Sequence, residues 1–493
     1  MSVLEHLEPQ PVFQFFEKIC SIPHGSGNTA AIAAYLKDFA ESRGYHAVLD
    51  AAGNVIVTLP ATPGREDRDP LILQGHMDMV AVRTADSAVD PATDPLKLGI
   101  DGDKIYAEGT SLGADNGIAV AYMCALMDDP SIPHPELTLI ITTEEETGMD
   151  GARAVDPALL TAGRFINMDS EDEGIFLAGC AGGGRVRMEL PLPVRRMSGC
   201  RVTAEVSGLL GGHSGQEIHR GRGNANLIAG RLLQALTDAG FTPGVAALDG
   251  GVADNAIPAS STLTLVFPAE QAADTARIGK CLADTAEIIR SELGARDPGF
   301  AVTVTEDAVT DCLCIAGDAV PRAAALLMIL PDGVEKMSTE LENLPETSLN
   351  TGIMHLVFSG EEGRLILDIA VRSCLDTARD HLVRRLELLA EACGAAHSVH
   401  SLYPGWRYDP DSVICAHFRD IWQRMTGKTP RVEAIHAGVE CGIFKEKKPE
   451  LDCVSFGPQM EGIHSPAERL YISSVARNWE FLKEALAAWD VKR

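Results

Sequence analysis

Short aliphatic runs along the chain alternate with stretches in which apolar side chains recur every third or fourth position. Ile32, Leu36 and Phe39 share one helical face, with Asn28 as a capping side chain before them and Gly44 as a stop after them. That spacing predicts a helix running towards Arg43. Short β-type runs follow at 46–50, 55–59 and 71–74, then a helix over 116–127 and strands over 137–142 and 165–168. Aliphatic strands alternating with helices predict an α/β sheet flanked by helices.

Around Leu190-Pro191-Leu192-Pro193 the texture changes. A strand is predicted over 201–206, a helix over 224–237, strands over 245–249 and 262–267, a helix over 272–293 and a strand over 301–305. A similar order follows between Pro321 and Cys393, with a hairpin over 354–373 and then a long helix. After Tyr403-Pro404-Gly405-Trp406 the first texture returns. At 493 residues the chain exceeds what one compact core serves. The pattern therefore predicts an α/β domain with a central, mostly parallel sheet, carried by residues 1–190 and 402–493. An inserted α+β domain, 191–401, interrupts it and reads as two similar, ferredoxin-like units side by side.

Composition narrows the function. Lys plus Arg number 42 against 70 Asp plus Glu, a net charge of -28 that repels phosphate backbones, so no nucleic-acid partner is expected. Aromatics make up 5%, so the cores are expected to be aliphatic. The N-terminus lacks the basic start and apolar run of a signal peptide, and the longest apolar runs, 118–127 and 323–330, are too short to span a bilayer. A cytoplasmic protein with no membrane partner is the expectation. Twelve cysteines are dispersed without a CxxC pair; Cys312 and Cys314 lie on opposite sides of a turn or on one face of a strand. Free thiols in a reducing compartment account for them better than a zinc-thiolate site.

The chemistry gathers after the apolar strands. Gln74-Gly75-His76-Met77-Asp78 follows the first, Thr143-Glu144-Glu145-Glu146-Thr147 the second and Asp169-Ser170-Glu171-Asp172-Glu173 the third. Sites in open α/β sheets lie beyond the carboxyl ends of strands. If the strand persists, His76 and Asp78 face the same side, and a metal-bound imidazole commonly gives its other N–H to such a carboxylate. Asp115 lies on a loop opening a helix, and His464 on a turn near the C-terminus. Taken singly, each has an ordinary reading as a surface histidine, a helix cap or a solvated acidic loop. There is no HExxH helix and no thiol cluster. Mixed imidazole and carboxylate ligands suit zinc, manganese or cobalt in a paired hydrolytic centre.

The motifs GHMDMV, GTSLGADNG, EEETGMDGA, NMDSEDEG, GGHSG with GRGNAN, HAGVECGIF and GIHSPAE occur in chain order across nearly the whole sequence. Together they resemble the cytosolic aminoacyl-histidine dipeptidases, a branch of the aminoacylase and carboxypeptidase-type metallopeptidases. The resemblance implies hydrolysis of dipeptides with free termini, Xaa-His included, by a metal-bridging water with a glutamate as base. It implies two divalent ions, Zn2+ first and Mn2+ or Co2+ as alternatives. His76 and Asp169 would each bind one metal, Glu146 and His464 the other, and Asp115 would bridge them. Glu145 would be the base and Asp78 would orient His76; Glu144 is set aside because base and ligand are the two glutamates nearest the following small residue. A cis peptide after the bridging Asp115 is also implied.

In the inserted domain the resemblance gives His213 to the substrate carbonyl or oxyanion, and Asn255 and Arg372 to substrate binding. A guanidinium fork matches a free carboxylate. His436, Gly438 and Glu440 belong to a motif without assigned roles, while His24, His134, His219, His381 and His417 read as ordinary surface or core histidines. The inserted domain is expected to act as a lid and to pair two chains into a homodimer. The competing readings are an aminotripeptidase or N-acyl amino acid deacylase with the same centre, and an inactive relative that binds peptides.

Overall fold

The computed structural model describes residues 2–272, 274–360 and 362–492. The chain divides into two compact units: Met1–Cys180 with Trp406–Ala434 and Val439–Arg493, and Ala181–Gly405 with Ile435–Gly438.

In the first unit an eight-stranded sheet runs in the order His46–Leu49, Val55–Leu59, Leu137–Thr142, Leu71–His76, Arg164–Asn167, Asp452–Ser455, Ile175–Cys180, Arg431–Ile435. Its middle is parallel: Leu71–His76 pairs in parallel with Leu137–Thr142 and with Arg164–Asn167, and the latter with Asp452–Ser455. Antiparallel pairs flank that middle. Every residue of Leu71–His76 and Leu137–Thr142 is buried, which is why both read as unbroken apolar runs rather than alternations. The helix Ala114–Asp128 is likewise buried from Ala114 to Met127 and packs on Leu71–His76. Gly75 permits that approach, since a Cβ there would stand 2.9 Å from the Ala119 Cβ and would overlap Asn116 Oδ1. The helix expected from Asn28 spans Ala30–Ser42 and buries Ile32, Leu36 and Phe39.

The second unit is built on one sheet in the order Ser261–Phe267, Gly244–Gly250, Ala301–Ile315, Gly182–Ser207, Glu362–Ser373, Pro345–Ser359, Gly333–Met337, with Ala396–Tyr403 also paired to Gly182–Ser207. The two expected α+β halves share a single strand. Residues 182–193 of Gly182–Ser207 pair with Glu362–Ser373, and residues 194–207 pair with Ala301–Ile315. The expected boundary at 190 therefore falls inside a strand, and the chain enters this unit at Ala181. Pro191 and Pro193 are exposed members of the ladder, not a linker.

Of the helix expected over 272–293 the structure gives Thr275–Leu293, Ala273 lying outside the described residues; so does Glu361 in the hairpin. Among the described residues no helix is long and apolar enough to cross a membrane.

Candidate metal centre

Three of the five expected ligands follow parallel strands directly. His76 ends Leu71–His76, Glu146 comes shortly after Leu137–Thr142 and Asp169 shortly after Arg164–Asn167. Asp115 opens the helix Ala114–Asp128, and His464 sits in a turn with φ 56°. The fold brings their side chains together. His76 Nε2 lies 3.2 Å from Asp115 Oδ1 and 3.5 Å from Asp169 Oδ1. On the other side His464 Nε2 lies 3.1 Å from Asp115 Oδ2 and 3.0 Å from Glu146 Oε2. Asp115 thus presents one oxygen to each histidine. The peptide bond between Asp115 and Asn116 is cis. Asn116 fixes the loop, its Oδ1 accepting from His76 N at 3.2 Å and its Nδ2 donating to Met168 O at 2.8 Å.

The donor set fits divalent cations. Ligand atoms of His76, Asp115 and Glu146 all lie within 4.8 Å of one another. The Nδ1 atom of His76 faces the carbonyl oxygen of Asp78 at 2.9 Å. A carbonyl only accepts, so Nδ1 carries a hydrogen, which leaves Nε2, facing the carboxylates, as the ring nitrogen that a cation can take in place of a proton. Glu146 Oε1 is buried without a hydrogen-bond partner, a second donor awaiting a positive charge.

Charge makes the same case. In the cation-free chain, burial pushes Glu145 well above the carboxylate range, and Asp169, Glu440 and Glu146 add to it. Asp169 is pushed up to about 6 by burial and neighbouring Asp115, against the opposing pull of His76. Burial, Asp115 and Asp169 raise Glu171 to about 8. His464, held by Asp115 and Glu146, is raised to about 11. Burial opposes protonation of His76, yet Asp169, Asp115 and Asp78 raise its pKa overall. Buried acids packed this closely favour a compensating positive charge among them.

Asp78, expected to orient His76, meets the imidazole chiefly through its main chain. Its Oδ1 stands 3.5 Å from His76 Nδ1, farther than its own carbonyl. Its carboxylate accepts from Glu145 N at 3.1 Å, Glu146 N at 3.3 Å and Ser26 Oγ at 2.8 Å. One carboxylate therefore sets the backbone of both glutamates.

Two further acids had no role assigned from the sequence, Glu440 being named only as part of a motif and Glu468 not individually at all. Glu468, fully inside the unit, accepts from the backbone N–H groups of Leu112 (2.7 Å) and Gly113 (3.0 Å) with one oxygen. Its other oxygen accepts from those of Ala114 (2.8 Å) and Asp115 (3.3 Å). Burial and Asp115 push it up to about 7, against these four donors that favour its ionised form. Glu440 is completely buried; it accepts from Thr142 Oγ1 at 2.8 Å and from Gln74 Nε2, while its Oε1 has no partner. The only signal for either was membership of a motif.

The second unit carries its own cluster. His213 lies on the two-residue strand Gly212–His213, paired with Ala256–Ile257, and Asn255 O accepts from Ser214 N at 2.8 Å. Arg372 is buried beside Ser348 in the ladder; its guanidinium donates to Tyr403 Oη at 2.9 Å, and its Nε has no partner. Among the described residues no carboxylate pairs with it. His436 also belongs here, because Ala181 N donates to Ile435 O and Ala437 O. Its Nε2 is 2.7 Å from Ser348 Oγ. Burial and Arg372 lower the pKa of His213 and bring that of His436 down to about 3. The motif around 436–440 is thus divided, His436 serving the second unit and Glu440 the first. Of the histidines read as ordinary, His24 and His134 are buried, His417 bonds Ala485 O, and His219 and His381 are exposed.

The family model described as peptidase family M20/M25/M40 matches residues 72–488. The chain is 37% identical to the cytosol non-specific dipeptidase of Escherichia coli (strain K12), over 99% of each protein. It is similar to the crystal structure of the aminoacylhistidine dipeptidase of Vibrio alginolyticus, with 36% identity and a TM-score of 0.89 over 100% of this chain and 99% of the other. A Bacillus cereus aminopeptidase shares the fold at a TM-score of 0.60 and 16% identity, covering 98% of both chains.

Proposed function

The chain belongs to peptidase family M20/M25/M40, and from that membership we propose that it is a two-metal dipeptidase acting on dipeptides with free termini, Xaa-His dipeptides among them. One observation carries the reading: His76, Asp115, Glu146, Asp169 and His464 converge from five distant stretches, with Asp115 giving one oxygen to each histidine. The names of the E. coli and Vibrio relatives support the dipeptide substrate.

In this reading His76 and Asp169 serve one cation, Glu146 and His464 the other, and Asp115 both. Zinc is the first choice, manganese and cobalt the alternatives that the same ligands admit. When bound, the cations supply Lewis-acid chemistry, acidifying water and polarising the peptide carbonyl. Glu145 does the proton work: its carboxylate takes a proton from the attacking water and returns it to the leaving amine nitrogen. Asp78 fixes the Glu145 and Glu146 backbone so that base and ligand keep their register. Arg372, a buried guanidinium without a carboxylate partner among the described residues, is assigned to the substrate's free carboxylate, His213 to its carbonyl or oxyanion and Asn255 to substrate binding. The second unit is taken as lid and as the surface that pairs two chains. The cytoplasm is the assigned location, on the strength of the E. coli relative.

The test is a substrate panel with and without chelator. Xaa-His dipeptides should be cleaved, activity should vanish with chelator, and zinc should restore it. N-blocked dipeptides, C-amidated dipeptides and tripeptides should be poor substrates. Preferential cleavage of tripeptides or of N-acyl amino acids would move the chain to the tripeptidase or deacylase reading.

A further inference from the structure

We propose that Cys312, Cys314 and Met197 of the second unit form a three-sulfur site for a soft monovalent cation, copper(I) in type. Cys312 and Cys314 are both on the strand Ala301–Ile315, two residues apart and therefore on one face. Their sulfurs are 3.7 Å apart. Met197, on the neighbouring strand Gly182–Ser207, is the direct ladder partner of Cys312 and shares that face. Gly244 makes room for the group: a Cβ there would overlap Met197 Sδ and stand 3.3 Å from Cys314 Sγ. Met197 and Cys314 thus bring their sulfurs together over a glycine, with the Cys312 sulfur beside that of Cys314.

The spacing discriminates between fates for the two thiols. A disulfide needs Cβ atoms ~3.5–4.5 Å apart, whereas residues i and i+2 of a strand are separated by ~6.6 Å. A chelated ion needs something else. With metal–thiolate bonds of ~2.3 Å and a tetrahedral to trigonal angle, the sulfurs lie ~3.8–4.0 Å apart, close to what the ribbon holds. The donor type selects the ion, because two thiolates with a thioether are the soft set that favours copper(I) over the harder divalent ions.

Access fits as well. Cys312 and Met197 are half-buried and Cys314 is buried, so the group has an open side and a closed one. The other adjoining thiols, Cys441 and Cys453, are both buried in the first unit. Burial and Cys312 push the Cys314 thiol up to about 12, so the pair keeps its protons until a cation displaces them. Binding exchanges two S–H protons, released to solvent, for two S–Cu bonds, while Met197 adds a lone pair. No electron is transferred.

The experiment is anaerobic titration of the full-length, reduced protein with the copper(I) complex of bathocuproine disulfonate. The chain should withdraw one equivalent that the Cys312→Ser/Cys314→Ser variant does not, with thermal unfolding of the variant unchanged. Met197→Leu should keep that equivalent but bind it more weakly. Cys200→Ser, a half-exposed single thiol on the same strand as Met197, should match the wild type. Equal copper(I) uptake by wild type and the double serine variant overturns the proposal, as does equal loss in Cys200→Ser.

Discussion

Glu468 offers the sharpest test of how Asp115, the proposed bridging residue, is held. Its side chain is 2% exposed, and it gathers the N–H groups of four consecutive residues ending at Asp115. Glu468→Gln keeps nearly the same shape. One amide oxygen still serves one pair of N–H groups, but the NH2 now faces the other pair, donor against donor. Two buried N–H groups lose their acceptor at ~1–3 kcal/mol each, so the loop should lose ~2–6 kcal/mol. Even the lower figure amounts to ~30-fold in an equilibrium constant. Zinc competition against a chelator of known affinity reads the share that falls on the metal centre, and urea unfolding of the metal-free chain reads the share that falls on the fold. Glu461→Gln provides the control, an exposed glutamate whose partners are Lys104 and Tyr471. If Glu468→Gln binds zinc and unfolds as the wild type does, the four N–H bonds do not position Asp115 and the argument fails.

Four other outcomes follow from the same geometry. Glu145→Gln should lose ~10²–10⁴-fold in kcat with zinc still bound; near-normal turnover would remove Glu145 from the role of base. Asp78→Ala, which frees the Glu145 and Glu146 backbone and Ser26, should weaken zinc binding ~10–100-fold, and an unchanged affinity in the same competition assay would contradict it. Arg372→Ala should raise KM roughly 10- to 100-fold for dipeptides with a free carboxylate while leaving C-amidated analogues nearly unaffected, and a parallel rise for both would count against carboxylate recognition. His436, with a folded-state pKa of about 3, takes up its proton more readily in the unfolded chain, where ~6.5 is usual. Its contribution to stability is therefore complete above about pH 6.5 and is lost as the pH falls towards 3, so His436→Asn should flatten the pH dependence of urea unfolding over that interval, and an equally steep slope would refute this.

What the sequence disclosed and what it withheld follow from the range of the interactions involved. The strands 137–142 and 71–76 stood out because a parallel strand covered on both faces tolerates only apolar side chains, and polar residues immediately after such a run mark the open end of the sheet. The clusters around His76, Glu146 and Asp169 were legible for that reason, while the choice of these three, with Asp115 and His464, as the proposed ligands came from motifs that match a known family. Proline, by contrast, misled. Leu190-Pro191-Leu192-Pro193 has the composition of a linker, yet the alternation of buried leucines and exposed prolines is that of a strand, and it joins the two halves of the second unit.

Glu468 was invisible as an individual and Glu440 had no role, since nothing local distinguishes a carboxylate that solvates a surface from one that meets backbone N–H groups some 350 residues earlier, as Glu468 does, or the side chains of Gln74 and Thr142, as Glu440 does. Asp78 shows the same limit in milder form. Its placement two residues after His76 suggested one partner, and the fold gave it three others from segments that sequence spacing does not connect. Ligands that report a chemical type can be read one at a time. The residues that position them act through main-chain groups, which every sequence contains and none advertises, so the supporting shell emerges only when distant backbone is brought into register.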